Sequence, residues 1–334
     1  MAFQSIHKLM QEYNTEDKCR EWFVHHRWPN GVECPFCGNK DGQKTICRLT
    51  KGAEKGCFLC RACKKKFSVR NNSFMGKSRI PYSKWLMAIY FVINHKRGIS
   101  SLQLARNIGV TQSTAWFMAQ RIFNIVNSDN NVLNGVVEMD EVYIGGAEKN
   151  KRPDRRVNNS NKYLNDKMSV LGMLERGGKV ILRQYDGKQY KYMEPVIEHH
   201  IAKDATVYTD ESPLYKGGIN GRQHKCVNHS KGIYGIGSIT TNRIEGMFSQ
   251  LKRMILGIHV FVTRGHFKRY ADMFSFRMDT RELTEYERLD LLMTQVNGTR
   301  IKFDEISCHG NPGTKKWFPT LRKQKKNCFI TERI

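Results

Sequence analysis

Val136-Val-Glu-Met-Asp140-Glu-Val-Tyr-Ile-Gly-Gly146 is the stretch on which the reading of this chain turns. Its apolar and β-branched residues predict a strand over 136–140, with Asp140 at its end. Thr206-Val-Tyr-Thr-Asp210 repeats the arrangement, a short strand over 205–209 followed by a second aspartate. A carboxylate at a strand end is held rigidly at a sheet edge, which suits a site for two divalent ions about 3.5 to 4 Å apart. Around this pair, apolar runs predict strands over 168–174 and 179–185 and helices around 192–202, 242–255 and 264–277. Strands, a helix, a strand and further helix make a mixed α/β order. Residues 147–166, rich in Lys, Arg, Asn and Asp, read as a flexible loop.

A third carboxylate lies in Thr241-Asn-Arg-Ile-Glu-Gly-Met-Phe-Ser-Gln-Leu-Lys-Arg253. Glu245 and Lys252 are seven residues apart, about two helical turns, so both side chains face the same way, and Asn242 lies on roughly that face. A glutamate there can ligate a metal while the lysine approaches a phosphate. Taken singly, each residue also fits a plainer role: an aspartate that opens a turn, or a surface glutamate beside solvated lysines. Taken together they fit two-metal chemistry. One ion activates a water or a DNA 3′-hydroxyl for in-line attack at phosphorus, and the other stabilises the leaving oxygen, with no covalent protein nucleophile. Such hard, oxygen-ligated ions are expected to be Mg²⁺, with Mn²⁺ as substitute.

Four of the ten cysteines form two C-x-x-C pairs, Cys34-Pro-Phe-Cys37 and Cys60-Arg-Ala-Cys63. Two such knuckles offer four thiolates to one tetrahedral Zn²⁺ and leave no position open for a substrate, so the site is structural. Cys47 and Cys57 are the substitutes if one of the four is not a ligand. The surrounding residues 31–70 suit a small β-rich module with too little core to fold without its metal. Residues 1–30 predict helix, with Ile6, Leu9, Met10 and Tyr13, then Cys19, Trp22 and Phe23, at helical spacing.

Residues 80–128 are helical in pattern, starting near Pro81. Within them, Leu102, Leu104 and Ala105 would pack one helix and Gly109 would allow a tight turn. Thr111 to Ser113 would cap a second helix that carries Trp116, Phe117 and Arg121. This is the layout of a helix-turn-helix, and Gln112, Ser113 and Arg121 are its candidate DNA contacts; a helical hairpin that only packs has the same pattern. Charge points the same way. The sequence holds 56 Lys and Arg against 31 Asp and Glu, a formal charge of +25, which attracts a polyanion and makes nucleic acid the expected partner. No apolar run reaches the length of a membrane span and no signal pattern opens the chain, so the expectation is a cytoplasmic protein, nucleoid-associated in a bacterium or nuclear in a eukaryote. Basic runs at Lys315-Lys316 and Arg322–Lys326 either touch phosphates or are merely solvated.

From about Trp22 to Arg281 the chain resembles the transposases of the IS1595 group, also called ISXO2-like, which are related to Merlin transposases. The resemblance rests on Cys34-Pro-Phe-Cys-Gly, Lys84-Trp-Leu-Met-Ala-Ile-Tyr, Gly98-Ile-Ser-Ser-Leu-Gln-Leu-Ala-Arg, Asp140-Glu-Val-Tyr-Ile-Gly-Gly, Val227-Asn-His-Ser and Thr241-Asn-Arg-Ile-Glu-Gly-Met-Phe. It implies a zinc ribbon, a DNA-binding region and an RNase H-like catalytic domain that cuts the terminal inverted repeats of its own element and joins them to target DNA. It further implies Asp140 and Asp210 as the two aspartates and Lys252 as the basic residue after the third ligand, a position that varies between Glu and Asn in the group. The spacing to Lys252 favours Glu245 over Asn242. The chain departs from the pattern at Ile239-Thr-Thr-Asn and at Met247-Phe248, without losing a proposed ligand. His224 and His229 could lie near the metals, though a packed, hydrogen-bonded histidine fits each as well.

The expected organisation is a helical segment at 1–30, a zinc ribbon at 31–70, a helix-turn-helix region at 71–131, an RNase H-like domain at 132–284 and a basic tail at 285–334. Two element ends must be brought together, so a homodimer or larger assembly on DNA is expected. The rival readings are an RNase H-like nuclease that cuts without joining, and a domesticated DNA-binding regulator; retention of all three carboxylates speaks against the second.

Overall fold

The computed structural model describes residues 5–40, 45–52, 54–145, 167–187, 189–227, 240–302 and 305–306. Two helices come first, α1 (Ile6–Glu12) and α2 (Glu16–Arg27), capped by Ser5 and Thr15, whose hydroxyls accept from the amides of Lys8 and Lys18. Acidic residues in the first turn of α2 and His25, His26 and Arg27 in its last complement the helix dipole. A small antiparallel sheet follows, β1 (Ile46–Arg48), β2 (Phe58–Cys60) and β3 (Lys66–Phe67). Phe58 and Phe67 stack at 5.5 Å and meet Trp28 edge-on at 5.9 and 6.0 Å. Arg27 donates to the Asn71 carbonyl at 2.7 Å, so the ribbon is fastened onto α2.

α3 (Tyr82–Asn94) begins after Pro81, and Glu16 accepts from its first amides, those of Tyr82 and Ser83, at 2.7 and 3.1 Å. α4 (Ser101–Ile108) ends on Gly109 at φ +63°, and α5 (Gln112–Phe123) starts from Thr111, which accepts from the Thr114 amide. Lys84 fixes the turn between them by donating to the Gly109 carbonyl at 2.6 Å. Leu104 and Ala105 are buried as expected, whereas Leu102 is 45% exposed, two residues round the helix from Leu104.

The main sheet has five strands in the order β6-β5-β4-β7-β8. These are β4 (Val136–Ile144), β5 (Met168–Glu175), β6 (Val180–Tyr185), β7 (Thr206–Asp210) and β8 (Gln223–Val227). The first three pair antiparallel; β7 joins β4 in parallel, and β8 joins β7 in parallel. α6 (Glu194–His200) crosses between β6 and β7. α7 (Asn242–Met254) runs on as a π turn over Ile255–His259, and α8 (Arg264–Asp279) and α9 (Glu285–Met293) complete the order.

Strand alternation sorts the core. Val142, Val170, Val180 and Leu182 face α7 and α8 in a continuous core that also takes in the ribbon, α1 to α5 and α9. Val137, Met139, Leu171, Met173 and Ile181 face the opposite way, onto Ile197 of α6 and Tyr215. The expected boundaries at 30, 70 and 131 therefore divide motifs that share one core.

Three sequence expectations are corrected. β4 does not end at Asp140 but continues to Ile144, because its β5 partner extends alongside it. β8 went unrecognised: Gln-His-Lys-Cys-Val is polar because it forms an exposed edge. Residue 285 opens α9 rather than a tail. A capping box of Thr284 and Glu287 starts it, Tyr90 donates to Glu285 at 3.0 Å, and Leu289, Leu292, Met293 and Val296 are buried. The loop expected at 147–166, His229, Ile239 and the basic runs beyond 310 lie outside the described residues. Among the described residues no helix is long and apolar enough to cross a membrane.

Candidate active site and metal centres

The sulfurs of Cys34, Cys37, Cys60 and Cys63 all lie within 4.8 Å of one another. Cys34 and Cys63 are 3.7 Å apart, as are Cys37 and Cys60. Four sulfurs placed tetrahedrally about 2.3 Å from a zinc ion are separated by about 3.8 Å, so these cysteines are set for Zn²⁺. The Cys63 amide points at the Cys60 sulfur and is the main reason that thiol is held down, to about 7. Cys47 and Cys57 are not in the group.

The second centre grows from the junction of β4 and β7. Their parallel ladder pairs Val136 with Thr206, Val137 with Val207 and Glu138 with Tyr208, and stops there. Asp140 and Asp210 each lie two residues beyond that last rung, on the face of the sheet that α7 covers, near enough for the charge of Asp210 to act on Asp140. Asp140 is thus mid-strand towards β5, where it pairs with Gly172, and just past the last rung towards β7. Gly172 is what lets α7 come down. A Cβ there would lie 2.5 and 2.6 Å from the Phe248 ring and 3.2 Å from Ile244. Glu245, next to Ile244, is brought to the edge of the site and accepts from the Thr241 hydroxyl at 3.3 Å.

Burial first, then the charges of Glu141, Asp210 and Glu245, push the Asp140 carboxyl up to about 7, although the Glu141 amide donates to it at 2.7 Å. Asp210 accepts from the Ser212 amide at 3.0 Å. Among the described residues the four sulfurs are the group packed within 4.8 Å; the carboxylates are spaced more widely. An all-oxygen donor set suits a hard divalent cation such as Mg²⁺ rather than the thiolate-bound zinc of the ribbon. Three carboxylates from β4, β7 and α7, beyond the last rung of the ladder, fit that donor chemistry.

Asn242 and Lys252 are exposed on the same flank of α7 as Glu245. His224 hydrogen-bonds Thr209 at 2.8 Å and is lowered by burial, the packed role weighed for it above. Gln112 and Ser113 are exposed at the start of α5. Arg121 is not available to a DNA groove: it is 8% exposed, its guanidinium lies 4.4 Å over the Phe117 ring, and the second half of α5 packs on α8. Gln120, just before it, bonds Tyr270 and Arg269 at 3.0 and 2.8 Å. The expected contact at Arg121 is corrected accordingly.

Sequence reasoning missed three groups. Glu141, on the opposite face of β4, receives the Tyr215 hydroxyl and is pushed up to about 7, by burial first and then by Asp210. Glu138 is fully buried beneath α7 and paired with Arg176. A glutamate inside an apolar strand was the visible signal for Glu138; Arg176, in a turn, carried none.

Residues 132–279 match the ISXO2-like transposase domain of the IS1595 group, and residues 14–66 match the transposase zinc-ribbon domain. An uncharacterized protein in the transposable element ISH50 of Halobacterium salinarum is 24% identical over 282 residues, covering 81% of this chain and 93% of that protein. The four cysteines fall within the first 66 residues and the carboxylates within 132–279.

Proposed function

Because this chain belongs to the IS1595 (ISXO2-like) transposase family, we propose that it binds the terminal inverted repeats of its element, cleaves the ends and joins them to target DNA by two-metal phosphoryl transfer. One observation carries the reading: Asp140 and Asp210 each lie two residues beyond the last rung of the β4–β7 ladder, while Gly172 admits the helix that bears Glu245. Three antiparallel strands followed by two parallel ones, with the carboxylates at the central pair, support an RNase H-like reading of residues 132–284.

Asp140, Asp210 and Glu245 would hold Mg²⁺ or Mn²⁺, which when bound would activate a water or a 3′-hydroxyl for attack at phosphorus and stabilise the leaving oxygen. The two-turn spacing to Lys252 favours Glu245 over Asn242 as third ligand. Lys252, about 10 Å further along the same flank of α7, is placed to meet a phosphate of the bound strand. Gln112 and Ser113, exposed at the start of α5, occupy the positions from which a recognition helix contacts base edges. Two ends must be held at once, so the working form contains two or more copies.

The test is a strand-transfer assay with DNA carrying the element's ends, target DNA and Mg²⁺. Joined products that vanish in Asp140→Ala and Asp210→Ala are expected. Cleavage without joining would make the protein a nuclease, and end cleavage undiminished in Asp140→Ala would overturn the mechanism.

A further inference from the structure

The three carboxylates sit on three separate elements, and their spacing depends on how β4, β7 and α7 are locked together. Glu138 lies two residues before Asp140, Tyr208 two before Asp210, and Ile244 one before Glu245. Glu138 is 0% exposed, and a buried carboxylate is tolerated only with partners. One of its oxygens accepts from Arg176 Nε at 2.8 Å, and the other accepts from the Ile244 amide, in the first turn of α7, at 3.2 Å. Arg176 in turn donates through Nη2 to the Thr240 carbonyl at 3.0 Å, just ahead of α7. Its guanidinium lies 4.8 Å over the ring of Tyr208, the residue that faces Glu138 across the parallel ladder. The Arg176 amide also donates to the Val136 carbonyl at 2.9 Å. One ion pair, buried at Glu138 and half-buried at Arg176, thus touches every element that bears a carboxylate.

We propose that Glu138 and Arg176 are positioning residues that fix Glu245 relative to Asp140 and Asp210. Glu138 supplies an acceptor to an amide that the helix itself leaves unpaired, and its charge sits at the positive end of the α7 dipole. Arg176 holds the chain leading into that end, so α7 can neither lift nor rotate about its start. Neither residue reaches the reacting atoms; both act through Glu245. The inference rests on the two-metal reading above.

Full-length Glu138→Gln and Arg176→Lys test it. The first removes the charge and keeps one acceptor; the second keeps the charge and loses the fork that reaches both Glu138 and Thr240. Hydrogen exchange over residues 242–248 and Mn²⁺ binding followed by electron paramagnetic resonance are the readouts, with DNA-end binding and thermal melting alongside. Exchange in the first turn of α7 should rise about tenfold, reflecting local opening. Mn²⁺ affinity should fall about tenfold to a hundredfold, as when a group that orients a ligand is lost. End binding should be unchanged. Unchanged exchange and Mn²⁺ affinity would overturn the proposal, and so would a rise in exchange spread evenly over the chain, which marks a merely structural pair. If Glu138→Gln does not fold, Arg176→Lys decides by the same readouts. Failure of the two-metal reading shows separately, as end cleavage surviving in Asp140→Ala, since the exchange measurement needs no turnover.

Discussion

Gly172→Ala has opposite expected outcomes depending on whether α7 is docked where the structure puts it. A glycine inside a strand normally weakens it, and replacing it with alanine at a compatible site stabilises a protein by about 0.4 to 1 kcal/mol. Here the added methyl would lie 2.5 and 2.6 Å from two ring carbons of Phe248 and 3.2 Å from Ile244, against an ordinary carbon–carbon contact of about 3.5 to 4 Å. Phe248 is 5% exposed and Ile244 is 0% exposed, so the ring has little room to swing aside, and α7 has to shift by about 1 Å. Overpacking of this kind costs about 1 to 3 kcal/mol. The same shift moves Glu245, and a misplacement of about 1 Å can cost roughly a hundredfold in rate. The assay pairs thermal melting with Mg²⁺-dependent end cleavage. Gly172→Ala should melt lower and cleave about a hundredfold more slowly, and Gly172→Ala with Phe248→Leu should recover part of both. A Gly172→Ala protein that melts higher and cleaves normally would refute the docking of α7 on β5.

Other outcomes follow from the same geometry. Cys37→Ser, or prolonged chelation, should remove the bound zinc and lower the melting temperature of the whole chain, because Trp28, Phe58 and Phe67 join the ribbon to the common core; metal analysis with circular dichroism checks this. His200 is 3% exposed and burial holds it down at about 4, so the unfolded chain binds the extra proton between about pH 6.5 and 4. Its contribution of about 3 kcal/mol is present above pH 6.5 and is lost as pH falls through that window; denaturant melts should show a shallower decline in His200→Gln than in the native protein. Arg121→Met should leave affinity for the element's ends unchanged and hold or raise stability, since it removes a buried guanidinium whose Nε has no hydrogen-bond partner; a loss of end affinity in a binding titration would return Arg121 to the DNA surface.

Asp210 was legible as a strand end, whereas Asp140 was legible only as a strand residue: the strand runs four residues past it because of the β5 partner, which its own sequence does not reveal. What the sequence could not show was the pairing of their two strands, whose last rung lies two residues before each aspartate, since pairing across seventy residues leaves no local mark. The four cysteines were legible in full, because C-x-x-C spacing and tetrahedral geometry impose the same constraint. Arg121 misled for an instructive reason: helical periodicity places it on α5, but only the packing of α8 against that helix shows that it faces inward. β8 and α9 hid behind polar composition, the first as an edge strand and the second because Glu285, Glu287 and Arg288 alternate with the leucines that bury it. Gly172 and Arg176 act only through partners far away in sequence, so neither could be singled out from spacing alone.

Asp140, Asp210 and Glu245 are proposed to hold the two divalent ions of a single centre. Iron-mediated cleavage of the protein tests this directly: with added hydrogen peroxide and ascorbate, Fe²⁺ bound in place of Mg²⁺ reduces the peroxide to hydroxyl radicals that cut the backbone beside its ligands. Cuts clustered near residues 140, 210 and 245, suppressed by added Mg²⁺ and absent in Asp140→Ala, are the predicted result. Cuts elsewhere that Mg²⁺ suppresses, or none that Mg²⁺ affects at these three places, would contradict it.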